Sequence, residues 1–151
     1  MSEVWRPSVT VAAVIERDGK FLFVEEIAQG RRVLNQPAGH LDPGESLLEA
    51  CVRETLEETA HALEPSALVG IYRWRHEASD TTFLRFAFAG RASGRDPARK
   101  LDKEIVATHW LTPEELAARR AMHRSPLVAR CVADYLAGAC FPLDVLSREF
   151  A

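Results

Sequence analysis

Carboxylates are concentrated in one short stretch of this chain, residues 39–61, which contains five glutamates. At about 100° per residue, a helix over residues 46–59 places Glu54, Glu57 and Glu58 on one side within an arc of about 100°. Neighbouring carboxylates on an exposed helix repel each other by about 0.2–0.5 kcal/mol for each i,i+4 pair. A divalent cation reverses that effect, because Mg²⁺ and Mn²⁺ prefer hard oxygen ligands. The pattern therefore predicts a metal site that faces a phosphate.

The helix that carries these glutamates has a recognisable start and a face suited to burial. Ser46 and Glu49 form the S-x-x-E pattern of a capping box. A second side of the helix is small or apolar, so we expect it to pack on a sheet while the glutamates stay available as ligands. The residues on this second side are Leu48, Cys51, Val52 and Thr55.

The spacing within this stretch resembles the Nudix box, G-x5-E-x7-R-E-U-x-E-E-x-G-U, in which U is an apolar residue. A match at six fixed identities is expected by chance on the order of 10⁻⁷ times per starting position. The matching residues are Gly39, Glu45, Arg53, Glu54, Glu57 and Glu58.

The chain departs from the box at three positions, none of them acidic: Thr55, Ala60 and His61. Thr55 and Ala60 are small enough to fit. Ala60 stands where the family has glycine, and alanine resists positive φ. If position 60 requires positive φ, we expect the loop that follows the helix to take a different path.

Four further stretches resemble the bacterial NudJ subgroup of Nudix hydrolases, so that the likeness covers roughly residues 8–146. They lie at 35–41, 83–86, 124–128 and 141–143. The resemblance implies an α+β fold in one domain over residues 1–151. This fold is an α/β/α sandwich with a mixed β-sheet and a loop–helix–loop catalytic motif.

The resemblance also implies an activity, the hydrolysis of phosphate anhydrides with Mg²⁺, or alternatively Mn²⁺. The subgroup acts on nucleoside tri- and diphosphates and on the pyrophosphate of hydroxymethylpyrimidine, a thiamine precursor, and releases orthophosphate. One alternative is a Nudix pyrophosphatase for ADP-ribose or dinucleoside polyphosphates. Another is a nucleotide-binding Nudix module without catalysis, although such a module is expected to lose part of the acidic set.

Roles for the box residues follow from the same resemblance. Glu57 and Glu58 correspond to metal ligands, and Glu54 to a ligand or the general base. The backbone carbonyl of Ala38 corresponds to a further ligand. Arg53 is expected to pair with the carboxylates or orient them, as is Glu45.

Candidates outside the box complete the predicted site. A further catalytic glutamate often comes from a late loop or strand start in this family, and Glu104 is the candidate here. Arg85, Trp74 and Arg6 are candidates for substrate contacts. Two of these have alternatives: Arg85 as a partner of a box carboxylate, and Trp74 as a core residue.

The remaining pattern is that of strands followed by helices. Two apolar runs, residues 9–15 and 21–24, flank Asp18-Gly19 and predict a hairpin. Thr112 and Ser125 each precede a proline and predict helix starts, the second helix running to Gly138. Further strands are predicted at 68–74, 82–89 and 105–111, a short extended segment at 31–38, and a loop at 91–103.

Composition limits the partners of the chain. A length of 151 residues with 47% hydrophobic and 27% charged residues is typical of one globular domain. The net charge of −3 lacks the basic excess of nucleic-acid-binding proteins, so we expect no nucleic-acid partner. The resemblance implies a small nucleotide or pyrimidine diphosphate as the substrate. Three cysteines without metal spacing, and no signal peptide or membrane span, favour a cytoplasmic enzyme, either a monomer or a homodimer.

Overall fold

The computed structural model of the protein describes residues 2–147. No helix in this range is long and apolar enough to cross a membrane. Three α-helices are formed: α1 (Leu47–Thr59), α2 (Pro113–Ala118) and α3 (Leu127–Leu136). The strands are β1 (Ser8–Arg17), β2 (Lys20–Ala28), β3 (Arg31–Asn35), β4 (Ala38–His40), β5 (Leu63–His76), β6 (Thr81–Ala92) and β7 (Ile105–Leu111).

The strands form a mixed sheet, as predicted, with β1 at the centre of the part that carries the site. In the order β4-β1-β6-β5, only β1 and β6 are parallel to each other. Strands β3, β2 and β7 form an antiparallel group. The predicted hairpin joins the two parts, because β1 and β2 pair only at Glu16 with Phe21 and at Arg17 with Lys20. Beyond these pairs the strands separate, and β1 continues between β4 and β6.

Alternate residues of β1 pack against helices on opposite faces of the sheet. Val11 and Ala13 lie in a buried cluster with Cys51 of α1. Ala12 lies in a second buried cluster with Cys131 of α3. Successive side chains of a strand point to opposite faces, so a run that is apolar throughout serves two helical layers. The result is the predicted α/β/α sandwich.

Several element ends differ from the predicted ones. Strand β5 begins at Leu63 rather than near residue 68, and its pairing with β6 shifts register beside Pro65 and again beside Gly70. Bulges accommodate proline and glycine within a strand, so these residues interrupt the sequence pattern without ending the strand. The predicted segment 31–38 contains β3 and leads into β4, and α3 ends at Leu136, just before Gly138 with a φ of 93°.

The capping box predicted at Ser46 forms only in part, whereas the helix start predicted at Thr112 carries a complete one. The Ser46 hydroxyl accepts a hydrogen bond from the Glu49 N–H at 3.1 Å, but the Glu49 carboxylate does not return the bond to Ser46. In the other, Thr112 and Glu115 form both bonds at the start of α2. Glu49 is exposed and remains solvated.

The C-terminal run that begins at Phe141 is described only in part. Phe141 exchanges two backbone hydrogen bonds with Leu68 of β5, both at 2.8 Å. These bonds attach the start of the run to the sheet. Residues 148–151 lie outside the described part of the chain.

Helix α1 ends in the left-handed conformation, although the residue there is not glycine. Ala60 has φ 60° and ψ 21°, and its N–H donates to the Leu56 carbonyl at 2.9 Å. The different loop exit anticipated from this substitution is therefore absent. Alanine in this region costs roughly 1–2 kcal/mol relative to a right-handed conformation. The loop geometry is kept at the expense of local strain.

We expect Ala60→Gly to raise the free energy of unfolding by up to about 1 kcal/mol, because relief of strain outweighs the loss of one buried methyl group. The matched control is Ala50→Gly, at a buried position inside α1, which we expect to lower stability by at least about 1 kcal/mol. Urea denaturation of both variants measures the contrast. Equal destabilisation by the two glycines would show that Ala60 is not strained.

Candidate active site

The box carboxylates lie where β4, the following loop and α1 meet. The Ala38 N–H donates to Glu58 Oε1 at 2.9 Å, which connects the strand to the last turn of the helix. Gly39 lies against Glu54, and a Cβ built on Gly39 would be 2.1 Å from the Glu54 carboxyl carbon. A side chain at position 39 would therefore displace the Glu54 carboxylate, so glycine leaves the space that this carboxylate occupies.

Arg53 bonds to three of the box glutamates at once. Its Nε and Nη2 donate to the two oxygens of Glu45 at 3.0 and 2.6 Å. Its Nη1 donates to Glu54 at 2.9 Å and to Glu57 at 3.3 Å. A planar guanidinium with several fixed donors suits this arrangement better than a lysine ammonium would. Arg53 therefore sets the positions of the carboxylates around it.

Glu54 and Glu57 form a compact acidic cluster with a residue that the sequence pattern did not indicate. Oxygens of Glu54, Glu57 and Asp102 all lie within 4.8 Å of one another. The Asp102 N–H donates to the backbone carbonyl of Glu57 at 3.0 Å, so the loop before β7 is attached to α1 at this point. Asp102 lies in the segment predicted only as a loop, and no short motif includes it.

Glu58 is buried and lies beside this cluster. Burial, together with the nearby charges of Glu26, Glu54 and Asp102, raises the pKa of the Glu58 carboxyl to about 9. The Ala38 N–H acts in the opposite direction. Without a cation, this carboxyl therefore carries a proton at neutral pH.

The pKa values of two other box glutamates reflect burial and the contact with Arg53. Burial raises the pKa of Glu54, and the bond from Arg53 opposes that shift. The same guanidinium lowers the pKa of Glu45, which is less buried. Glu54 is thus a stronger base than an exposed glutamate, whereas Glu45 is held as the ionised partner of Arg53.

The set of donors fits a hard divalent cation. Glu54, Glu57 and Asp102 offer only carboxylate oxygens, and within residues 2–147 the only cation paired with these three is Arg53. The negative charge therefore exceeds the positive charge that the chain supplies there. Oxygen-only sites with excess negative charge suit Mg²⁺ and Mn²⁺ rather than soft metals.

A cavity of about 570 Å³ opens beside the carboxylates. Its volume is within the range of small-molecule sites, and it contains both acidic and cationic side chains. Ala38, Gly39, Glu54 and Glu58 line the cavity on the box side. Elsewhere its lining includes Arg85 and Trp74.

Arg85 reaches this cavity from β6 and is only 6% exposed. Its guanidinium donates to Gln36 Oε1 at 3.0 Å and to Asn35 Oδ1 at 2.9 Å. Within residues 2–147 it forms no ion pair, so the alternative in which Arg85 pairs with a box carboxylate is wrong. Its only hydrogen-bonded oxygens belong to neutral amides.

Trp74 also lines the cavity, whereas two other candidates do not. The Trp74 ring stacks on Phe83 with centroids 5.8 Å apart and an interplanar angle of 19°. Arg6 is exposed and does not line the cavity. Glu104 is exposed as well, and its backbone carbonyl accepts from the Ile27 N–H at 3.0 Å. The structure thus brings four residues of the box region and two of the substrate candidates to one cavity: Ala38, Gly39, Glu54, Glu58, Trp74 and Arg85.

Glu26 is a further cavity residue absent from the sequence prediction. It lies on β2, is 6% exposed and pairs with Arg124. The β2–β7 pairing shifts register between Glu25 and Glu26, and such a bulge changes the direction of a strand side chain. Only the bulge could have indicated this placement, and the local sequence does not reveal it.

A mixed-sheet sandwich with carboxylates gathered at a loop–helix–loop and a cavity beside them is compatible with a hydrolase that uses a divalent metal. A sequence model of the NUDIX domain matches residues 4–131, and the chain belongs to the Nudix family. The protein is a Nudix hydrolase, and members of this family generally use divalent metals and act on small-molecule nucleotides.

The chain is similar to several known proteins. It is 38% identical to phosphatase NudJ of Escherichia coli K12 over 143 residues, which is 95% of this chain and 92% of that protein. A NUDIX hydrolase from Nitrosomonas europaea has a TM-score of 0.93 and 54% identity, covering 95% of this chain and 98% of its own. The E. coli ORF135 protein has a TM-score of 0.70 and 26% identity, with coverages of 87% and 90%.

We expect Gly39→Ala to lower kcat/KM by about 100-fold or more, because the added Cβ displaces the Glu54 carboxylate and misplaced catalytic groups carry costs of this size. The matched control is Gly94→Ala, since a Cβ at Gly94 meets nothing within 4 Å. Steady-state kinetics and thermal melting of both variants separate site damage from misfolding. Activity of Gly39→Ala within threefold of the parent would contradict the steric requirement.

We expect the melting temperature of the chelator-treated protein to fall as pH rises toward about 9. In the folded protein Glu58 still carries its proton at neutral pH. In the unfolded chain, where the pKa of a glutamate is about 4.3, that proton has already been lost. The contribution of protonated Glu58 to stability is complete below the pKa that Glu58 has in the unfolded chain. It is lost as the pH rises through the pKa that Glu58 has in the folded protein. Glu58→Gln removes this titration, so melting curves of parent and variant across pH should not be parallel. Parallel curves would show that Glu58 does not titrate in this way.

Proposed function

We propose that the protein cleaves nucleoside tri- and diphosphates, and hydroxymethylpyrimidine pyrophosphate, to the monophosphate with release of orthophosphate. Mg²⁺ is the proposed metal, with Mn²⁺ as the alternative. The observation that carries the proposal is the acidic cluster of Glu54, Glu57 and Asp102, of which Glu54 lines a cavity that also holds a cationic side chain, Arg85. The similarity to a protein named as a phosphatase supports the choice of reaction.

The residues that would hold the metal are Glu54, Glu57 and Asp102, with Glu58 and the Ala38 carbonyl beside them. A divalent metal at such a site neutralises charge on the phosphate oxygens and makes a bound water more acidic. Phosphate anhydride hydrolysis depends on this positioning and on charge stabilisation more than on a protein nucleophile.

The protein's own groups position the reactants and handle the proton. Arg53 fixes Glu54 and Glu57 through bonds of 2.9 and 3.3 Å, so that the carboxylates need not reorganise. A Glu54 oxygen that is not itself a metal ligand would accept the proton of the attacking water, and the raised pKa of Glu54 suits that transfer. Gly39 keeps the space for this carboxylate open.

A phosphate-release assay with a panel of substrates tests the proposed reaction. The panel contains nucleoside triphosphates, nucleoside diphosphates, hydroxymethylpyrimidine pyrophosphate, ADP-ribose and diadenosine polyphosphates, each with Mg²⁺ and with Mn²⁺. Monophosphate with orthophosphate from the first three classes supports the proposal. AMP from ADP-ribose as the main product would indicate a pyrophosphatase instead. Nucleotide-induced thermal shifts with no product would indicate a binding module.

We expect Glu57→Gln to lower kcat by several orders of magnitude, because the exchange removes charge from the centre of the acidic cluster while preserving shape. The matched control is Glu49→Gln on the same helix, an exposed position outside the cluster. We expect the control to retain full activity, and a chelator to abolish activity in the parent. Activity of Glu57→Gln within tenfold of the parent would refute the assigned role of the cluster.

A further inference from the structure

We propose that Arg85 is a specificity-determining residue that binds a phosphate group of the substrate on the side away from the acidic cluster. The inference rests on the proposed function and deepens it, because it names the chemical group that the inner wall of the cavity recognises. Its evidence is the burial of Arg85, the position of Arg85 on the sheet, and the neutral amides of Asn35 and Gln36, which we call its anchors.

The first observation is a buried positive charge without a negative partner. Arg85 is 6% exposed, and its hydrogen-bonded oxygens belong to the amides of Asn35 and Gln36. An amide oxygen satisfies an N–H donor but leaves the charge uncompensated. A buried charge in this state is costly, and an aspartate at position 35 would reduce that cost. A ligand that brings its own negative charge reduces it too.

The second observation is that the anchors are themselves held in place. Gln36 is 1% exposed, and its Nε2 donates to the Val128 carbonyl of α3 at 2.7 Å. That bond requires Gln36 to turn its amide oxygen toward Arg85. The guanidinium is therefore preorganised by the packing of α3 and does not have to be ordered when a ligand binds.

The third observation concerns the donors that remain. Within residues 2–147, Arg85 Nε and Asn35 Nδ2 form no hydrogen bond. No fully buried side-chain nitrogen or oxygen in the same range lacks a partner, so neither atom is fully buried, and both residues line the cavity. Within the described residues, Arg85 and Asn35 thus keep one unpaired donor each. A phosphate, which has acceptor oxygens and negative charge, is their natural complement.

The fourth observation is the order of groups across the sheet. Thr10 of β1 pairs with His40 on one side and with Arg85 on the other. Arg85 therefore lies two strand spacings, about 10 Å, from the strand that begins the box. Phe83, two residues before Arg85 on the same face of β6, pairs with Trp74 and stacks on it.

Arg85 thus lies on the same strand as Phe83 of the Trp74–Phe83 stack, and β1 separates that strand from β4, where the box begins. A nucleotide with its ring toward the aromatic pair and its reacting phosphate at the cluster would present a phosphate at Arg85. A carbonyl oxygen on the base could also meet these donors. The uncompensated charge favours the phosphate, because a neutral carbonyl would leave that charge unpaired.

The probe is imidodiphosphate, a non-hydrolysable analogue of pyrophosphate, titrated calorimetrically into the protein with Mg²⁺. We expect Arg85→Gln to weaken its binding by about tenfold or more, and to raise KM far more than it lowers kcat. Arg85→Lys should recover only part of the affinity, because an ammonium lacks the planar fork. The matched control is Arg73→Gln on neighbouring β5, where Arg73 is exposed and outside the cavity lining. Unchanged binding in Arg85→Gln would overturn the inference.

A second variant separates binding from a structural role. Asn35→Asp keeps an acceptor for Arg85 but supplies a counter-charge. We expect its melting temperature to rise while imidodiphosphate binding weakens by about tenfold. We also expect Asn35→Asp to weaken imidodiphosphate binding less when it is combined with Arg85→Gln than when it is made alone. A higher melting temperature with unchanged binding would show that Arg85 serves only the fold.

Substrate comparisons distinguish the phosphate from the base. With one phosphate chain and different bases, the KM increase caused by Arg85→Gln should be the same for every base. An increase confined to bases with an exocyclic carbonyl would overturn the phosphate assignment.

The imidodiphosphate titration does not require turnover. If Arg85→Gln weakens its binding but no substrate is hydrolysed, the proposed function fails and the Arg85 inference stands. If hydrolysis occurs and Arg85→Gln binds imidodiphosphate as tightly as the parent, the proposed function stands and the Arg85 inference fails.

Discussion

The contact of one guanidinium with several carboxylates is the interaction on which the site depends. Arg53 forms hydrogen bonds to Glu45, Glu54 and Glu57 and to the backbone carbonyl of His40. Without it, acidic groups on one helix side would repel each other and turn toward solvent. The rest of the local structure serves this arrangement. Helix α1 supplies the spacing, and Gly39 leaves the space that the Glu54 carboxylate occupies.

The two ends of the cavity treat charge in opposite ways. At the box end, negative charge exceeds positive charge, and the buried Glu58 responds by holding a proton. At the other end, Arg85 is positive, and its hydrogen-bond partners within residues 2–147 are neutral: the amides of Asn35 and Gln36 and the sulfur of Cys131. A fold selected for stability alone would pair or neutralise such charges. The molecule instead keeps them apart at the two sides of one cavity, as expected of a site that binds a cation and an anion together.

The parts that the sequence predicts well are those determined by neighbouring residues. Helix α1 spans almost the predicted range, because the Ser46 cap and the period of its buried side are local features. The sequence does not predict Asp102 or Glu26 at the site, because contacts between residues distant in the chain position them. A backbone bond from a distant loop to Glu57 places the first, and a bulge in the pairing of β2 with β7 directs the second. Likewise, only tertiary structure shows that Arg85 meets two amides rather than a carboxylate.

The opposed charges also imply that the metal and the substrate support each other's binding. A cation at the acidic cluster lowers the repulsion that a phosphate would meet from Glu54 and Glu57, and a phosphate brings negative charge that stabilises the cation. By thermodynamic linkage, the metal would increase the affinity for the phosphate by the same factor as the phosphate would increase the affinity for the metal. Arg85 contributes from the far side, because its charge attracts the phosphate whether or not the metal is present. Under the proposed function, the cavity is most stable when both ligands are bound, and hydrolysis would proceed from that state.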